Sequence, residues 1–147
     1  MNSGYVHWKT LPVNLPPSEA IDEAALRKTI ADMKSPAATR FAAAKELDWY
    51  LRCKAGVPVN LSALKIGKTR VLHMPGELLV EYQLWAQEMR PELFTAMAAY
   101  GDYSMGYIAT KEAYKEGGYE ASARASKVAP EVEDVLRKAL EEMVSWK

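Results

Sequence analysis

Two short apolar runs constrain this chain most. Residues 70–74 (RVLHM) stop at Pro75-Gly76, and residues 93–99 (LFTAMAA) stop at Tyr100-Gly101-Asp102. Both are too short for helices and are closed by turn residues, so they read as buried strands. Between them, from Glu77 to about Arg90, Leu78 or Leu79, Tyr82, Trp85, Ala86 and Met89 recur at the spacing of an amphipathic helix. Strand, helix and strand, each strand closed by a polar and aromatic loop, set the chain as α/β. Ligands in such folds sit beyond the carboxyl ends of the strands. The second loop region carries Tyr100, Tyr103, Tyr107, Tyr114 and Tyr119, five of the eight tyrosines.

The remaining segments fit around this unit. Residues 6–15 mix Val, Trp, Thr and Leu, and Pro12 among them cannot donate to a ladder, so the segment predicts an edge strand or extended arm. Pro16-Pro17 stops it. Ser18 is expected to cap a helix running to about Lys34, with Asp22 and Glu23 in its first turn. Ser35-Pro36 begins a second helix to about Lys54, with Phe41, Ala44, Leu47 and Leu51 as its apolar stripe and Trp49 and Tyr50 beside it. Residues 59–66 alternate weakly as a strand and turn at Gly67-Lys68 into the run at 70–74, a tight hairpin. Thr110 caps a short helix closed by Gly117-Gly118. Ala129-Pro130 opens a last helix whose core face is Val132, Val135, Leu136, Ala139, Leu140 and Met143. The expected fold is one α/β (α+β) domain over residues 1–147, with a mixed sheet of about four strands layered with four to five helices.

Composition excludes several classes. The 147 residues are 49% apolar and 26% charged, ordinary for a soluble domain. Nineteen basic and nineteen acidic side chains give zero formal charge, so no basic excess argues for nucleic acid. No apolar run reaches the ~18 residues of a membrane span. The first ten residues, MNSGYVHWKT, lack the charged and apolar regions of a signal peptide, so the chain as it stands reads as cytoplasmic. Cys53 is the single cysteine and reads as a small packing residue on an amphipathic helix, since no His or Cys lies near it.

Chemistry concentrates after the two apolar runs. Glu77 has two readings: a carboxylate that caps the helix it opens, or a metal ligand or general acid held at a strand's end, with Gly76 letting the backbone bend close. Tyr107 and Tyr119 lie in loop or turn contexts; each packs as an amphipathic ring or, beside a cation, ligates metal or donates to an oxyanion. His73, four residues before Glu77, and Asp102 in the Tyr-Gly-Asp turn are further candidates. His7 and His73 stand outside the HxH and HExxH spacings of metal sites, and no GxSxG, Walker or GxGxxG pattern is present.

The segments LHMPGE (72–77) and GYIATKEAYKEGGYEAS (106–122) together resemble the end of the catalytic domain of neutral/alkaline ceramidases. The likeness is closer still to ceramidase-like hypothetical proteins of environmental bacteria, and it is strongest over residues 70–122. The resemblance implies that Glu77 supplies a carboxylate ligand to a catalytic zinc. It implies that Tyr107, in Tyr107-Ile108-Ala109-Thr110, supplies a second ligand, and that Tyr119, before Glu120, holds the substrate carbonyl or oxyanion. It also implies an N-acyl lipid or related amide as the substrate class. In that family two zinc-binding histidines come from an earlier part of a much longer chain, and neither His7 nor His73 stands in a matching motif. The interval from Glu77 to Tyr107 is shorter than the family's. The expectation is a partial member of the zinc amidohydrolase group, weakly active or inactive as this chain alone. The alternative is a non-catalytic α/β module that binds a partner or self-associates, for which four Trp and eight Tyr supply anchoring side chains.

Overall fold

In a computed structural model, which describes residues 6–101 and 106–146, the fold grows outward from a hairpin. Strand β2 (Val59–Ile66) turns at Gly67-Lys68 into β3 (Thr69–His73), and the two pair antiparallel. On the other side of β2 lies β1 (Val6–Val13), antiparallel along its whole length. It is an edge strand, which accommodates Pro12 and its missing N–H. On the other side of β3 lies β5 (Phe94–Ala98), in parallel. The sheet order is β1-β2-β3-β5, a mixed four-stranded sheet. A second, two-stranded sheet joins β4 (Glu77–Leu78) to β6 (Tyr107–Ile108).

Register assigns every strand residue to a face. Leu61, Ala63 and Leu72 point to the inner face and are fully buried. Helix α5 (Val132–Val144) covers them with Val132, Leu136, Ala139, Leu140 and Met143, part of the same core. Val135 is half-buried on the same helix, so the stripe expected from periodicity is the one used. Helix α3 (Glu81–Met89) adds Tyr82 and Ala86, with Trp85 beside them. Arg70, also inward, is buried; its guanidinium donates to the Gly67 and Thr69 carbonyls at 3.1 Å and to Trp146 O at 3.0 Å. That ties the hairpin turn to the end of the last helix.

Helices α1 (Glu23–Ala31) and α2 (Ala37–Lys54) form a hairpin that differs from expectation in two ways. The cap of α1 is Asp22, whose carboxylate accepts from Ala25 N at 3.0 Å. Ser18 lies outside the helix because its own N–H is bonded to Lys127 O, next to a bridge between Pro17 and Val128. In α2 the buried residues are Ala43, Leu47 and Trp49, whereas Phe41 and Leu51 are exposed. The indole decides the rotation: Trp49 Nε1 donates to Lys127 O at 2.9 Å, and burying that large ring turns Phe41 outward. Cys53 is half-buried, and burial pushes its thiol up to about 11, consistent with a packing residue.

Helix α4 (Lys111–Glu116) has the expected Thr110 cap, accepting from Ala113 N at 3.1 Å, and the expected stop at Gly117. The largest revision concerns Glu77, which lies on a strand. Its N–H donates to Gly106 O at 3.0 Å and that of Leu79 to Ile108 O at 3.2 Å, so the helix begins only at Glu81. The partner strand is remote in sequence, which is why local periodicity read the segment as helical.

Candidate functional site

Parallel strands β3 and β5 end side by side, and the loops leaving them are stitched together. Met74 N donates to Ala98 O at 2.8 Å, Gly101 N to Met74 O at 2.8 Å, and Tyr100 N to Gly76 O at 2.8 Å. The chain then enters β4, which pairs in parallel with β6. Their register places Glu77 opposite Tyr107. This approach requires bare backbone. Gly106 has φ +106°, and a Cβ there would lie 2.1 Å from Ala125 O. Gly76 has φ +58°, and a Cβ would meet Ile108 Cδ1 at 2.9 Å and Gly106 O at 3.0 Å.

Buried groups fix the strand pair from beneath. Ile108 and Ala109 are fully buried. The Tyr82 hydroxyl donates to Ala109 O at 3.0 Å, and burial drives that phenol's pKa strongly upward. Tyr107 N donates to Ala125 O at 2.9 Å, and Tyr114 shares a 2.7 Å hydrogen bond with Ser126.

On this base stands a cluster of oxygen donors. Tyr107 stands opposite Glu77 on the paired strands, and the Glu77 carboxylate acts on the phenols of both Tyr107 and Tyr100. Hydrogen bonding to that carboxylate is the first cause that holds each phenol's pKa above its ordinary value. For Tyr107 the negative charge of Glu77 adds to this, and Glu120 contributes a smaller push in the same direction. A phenol so placed stays protonated and remains a donor. The Tyr119 ring meets that of Tyr107 edge to face, with centroids 5.9 Å apart. Glu77, Tyr107 and Tyr119 are therefore neighbours.

Tyr100 was missed as a site residue. It is the non-glycine residue with positive φ, +60°, among those described. Such a conformation is strained for a tyrosine and persists only where surroundings impose it. The Tyr-Gly-Asp turn was the available signal, but nothing local specifies which tyrosine bends back. Asp102 lies outside the described residues. His73 is not in the cluster: it is exposed on the sheet's outer face, its ring 6.2 Å from that of Trp8. His7 packs against Trp146 at 6.1 Å.

These donors do not by themselves fit a catalytic zinc, which takes three protein ligands and favours imidazole. The cluster offers one carboxylate and phenol oxygens, both histidines are engaged elsewhere, and the described residues include no group of three or more His, Cys, Asp or Glu able to share an ion. What the cluster does supply is a carboxylate acceptor with neutral phenol donors beside it, able to orient a polar ligand or hold one side of a cation. A groove of about 550 Å³ between α3 and β5, lined by Leu84, Gln87, Phe94 and Met97, does not include Glu77, Tyr107 or Tyr119.

The α+β fold resembles part of solved ceramidase structures. Among solved structures, that of the neutral ceramidase from Pseudomonas aeruginosa matches 96% of this chain with 13% identity and a TM-score of 0.57. A ceramidase complexed with C2 matches 59% of it with 17% identity and a TM-score of 0.51. The matches span only 28% and 14% of those longer chains. At these identities the likeness is one of fold. No protein-family model and no curated protein matches the sequence.

Proposed function

We propose that this chain is a ceramidase-like unit bearing the carboxylate–phenol half of an amidohydrolase site. The observation that carries the reading is the juxtaposition of Glu77 and Tyr107 on paired strands, with the Tyr119 ring against that of Tyr107. In a complete site, Glu77 and Tyr107 would be the zinc-facing oxygens, and Tyr119 would donate to the oxyanion formed when an N-acyl amide is attacked. The substrate class is an N-acyl lipid or related amide. Since the chain's own donors fall short of a catalytic zinc site, no hydrolytic step is assigned to it, and the chain by itself is expected to bind zinc weakly and hydrolyse little.

The test is an assay of the purified chain against a panel of N-acyl amides with added zinc, beside Glu77→Ala. Little or no turnover in either protein is the expected result. Robust zinc-dependent turnover that disappears in Glu77→Ala would contradict the half-site reading and make the chain a full hydrolase.

A further inference from the structure

The two edges of the four-stranded sheet are finished differently. The β1 edge carries Pro12, which has no N–H to offer, and Lys9, which pairs with Glu142 at 2.6 Å. Both are devices that discourage a further strand. The β5 edge carries neither a proline nor a charge. Its open side follows from the ladder. Phe94 N donates to Lys68 O at 3.1 Å and Met74 N to Ala98 O at 2.8 Å, so the peptide groups of residues 94, 96 and 98 face β3. Alternation turns those of Thr95 and Met97 outward. Among the described residues, no group takes up the Thr95 N–H or the N–H and carbonyl of Met97. The Thr95 carbonyl is met by a side chain: Gln87 Nε2 on α3 donates to it at 3.1 Å, as the N–H of a next strand would. The Thr95 hydroxyl is a further unmet group. Thr95 is 4% exposed and lines the groove between α3 and β5, and its Oγ1 has no hydrogen-bond partner among the described residues.

We infer that the β5 edge is a strand-addition site, which takes an extended, uncharged segment of another protein into the groove beside α3. Backbone complementarity names that occupant, because a row of outward N–H and carbonyl groups is satisfied in register by another strand. The five residues of β5 give the ladder a length of about 17 Å, that of an ordinary strand. Side chains set the rest of the segment's chemistry. Thr95 and Met97 share the inner face of the sheet with Arg70 and Leu72. A serine or threonine beside Thr95 supplies the missing hydroxyl partner, a pairing that threonines make across adjacent strands. On the other face an apolar side chain covers Phe94, which is 70% exposed. Glu88 is the charged residue among those that line the groove, so an acidic segment is disfavoured. Glu77, Tyr107 and Tyr119 lie outside the groove, so the inference stands apart from the amidohydrolase reading.

The probe is a fluorophore-tagged seven-residue peptide of alternating valine and threonine, titrated with the full chain and read by fluorescence anisotropy. Two analogues carry backbone N-methyl groups, one on its threonines and one on its valines. With threonines facing Thr95, methylated threonine amides break an antiparallel ladder and methylated valine amides a parallel one. The expected result is that one analogue loses at least about tenfold in affinity while the other binds like the parent. Gln87→Ala, which frees the Thr95 carbonyl, is expected to tighten binding about fivefold, and Thr95→Val to weaken it about fivefold. Both variants keep the native far-ultraviolet circular dichroism, since Gln87 is at the surface and the Thr95 hydroxyl is unpaired. No binding of the parent peptide up to millimolar chain would overturn the inference, as would equal binding of both methylated analogues or unchanged affinity in both variants. Self-association of the chain that Thr95→Val weakens, seen by light scattering, would give the edge to a second copy and overturn it too.

Discussion

The body of the sheet and the β4–β6 corner are held together by different means. In the body, β1, β2 and β3 pair antiparallel along most of their length, and Leu61, Ala63 and Leu72 bury themselves under α5. Stability there comes from apolar area, and many side-chain volumes would serve. At the corner two strands of two residues each meet in parallel, from segments far apart in sequence. Ile108 is buried beneath them, but the close backbone approach that joins the two strands depends on glycines that leave room. The body is tolerant and the corner is not, and the corner carries the candidate chemistry.

The sharpest way to break that comparison is one substitution made in both places. Gly106→Ala puts a methyl 2.1 Å from Ala125 O on a backbone with φ +106°. It is expected to destabilise by more than about 3 kcal/mol, through strain and collision together. Gly67→Ala, at φ +57° with nothing within 4 Å, is expected to lose only about 1 kcal/mol. Urea unfolding midpoints measure both; equal losses would remove the distinction.

Tyr82→Phe comes next. It leaves the core volume nearly intact and removes the 3.0 Å bond to Ala109 O, exposing an unsatisfied buried carbonyl at the corner. A loss of about 1–3 kcal/mol is expected by chemical denaturation.

Alkaline pH probes the same place. Tyr82, Tyr100 and Tyr107 all have pKa values raised in the folded state, by burial for Tyr82 and by hydrogen bonding to Glu77 for the other two. A raised folded pKa contributes stability that is fully present below the unfolded phenol value of about 10 and is lost as pH rises through the folded value. Stability is therefore expected to decline above about pH 10. The decline should be shallower in Tyr82→Phe, as followed by denaturant midpoints across that window.

The smallest effect is expected far from the corner, in the helical hairpin. Asp22→Ala removes the carboxylate cap of α1 and is expected to lose about 1 kcal/mol, measured by thermal unfolding, with no change at the tyrosine cluster.

The same division governs what could be read from the sequence. The β2–β3 hairpin, the strand at 94–98, the Thr110 cap and the face of α5 follow from patterns only a few residues long, and all are present. The edge placement of β1 follows from Pro12 alone. Features set by distant partners were not legible. Glu77 was read as opening a helix because the hydrogen bonds that make it a strand come from Gly106 and Ile108. The stripe of α2 was misplaced because Trp49 is anchored on Lys127 O, and Asp22 displaced Ser18 as a cap because Ser18 is held by the same residue's carbonyl. Of the site, Glu77, Tyr107 and Tyr119 were named from motif likeness and lie together. Tyr100 joins them through a left-handed turn that residue type does not announce, and His73 stays on the outer face because strand alternation points it there.

The central claim is that the Glu77 carboxylate organises the Tyr107 and Tyr100 phenols. Ultraviolet titration of tyrosine ionisation in the wild-type chain and in Glu77→Gln tests it directly. The account predicts that phenols titrating above the ordinary range in the wild type fall back toward about 10 in the variant, because the main cause of their elevation is gone. Superimposable titrations of two equally well-folded proteins would contradict it, and would dissolve the cluster on which the functional reading stands.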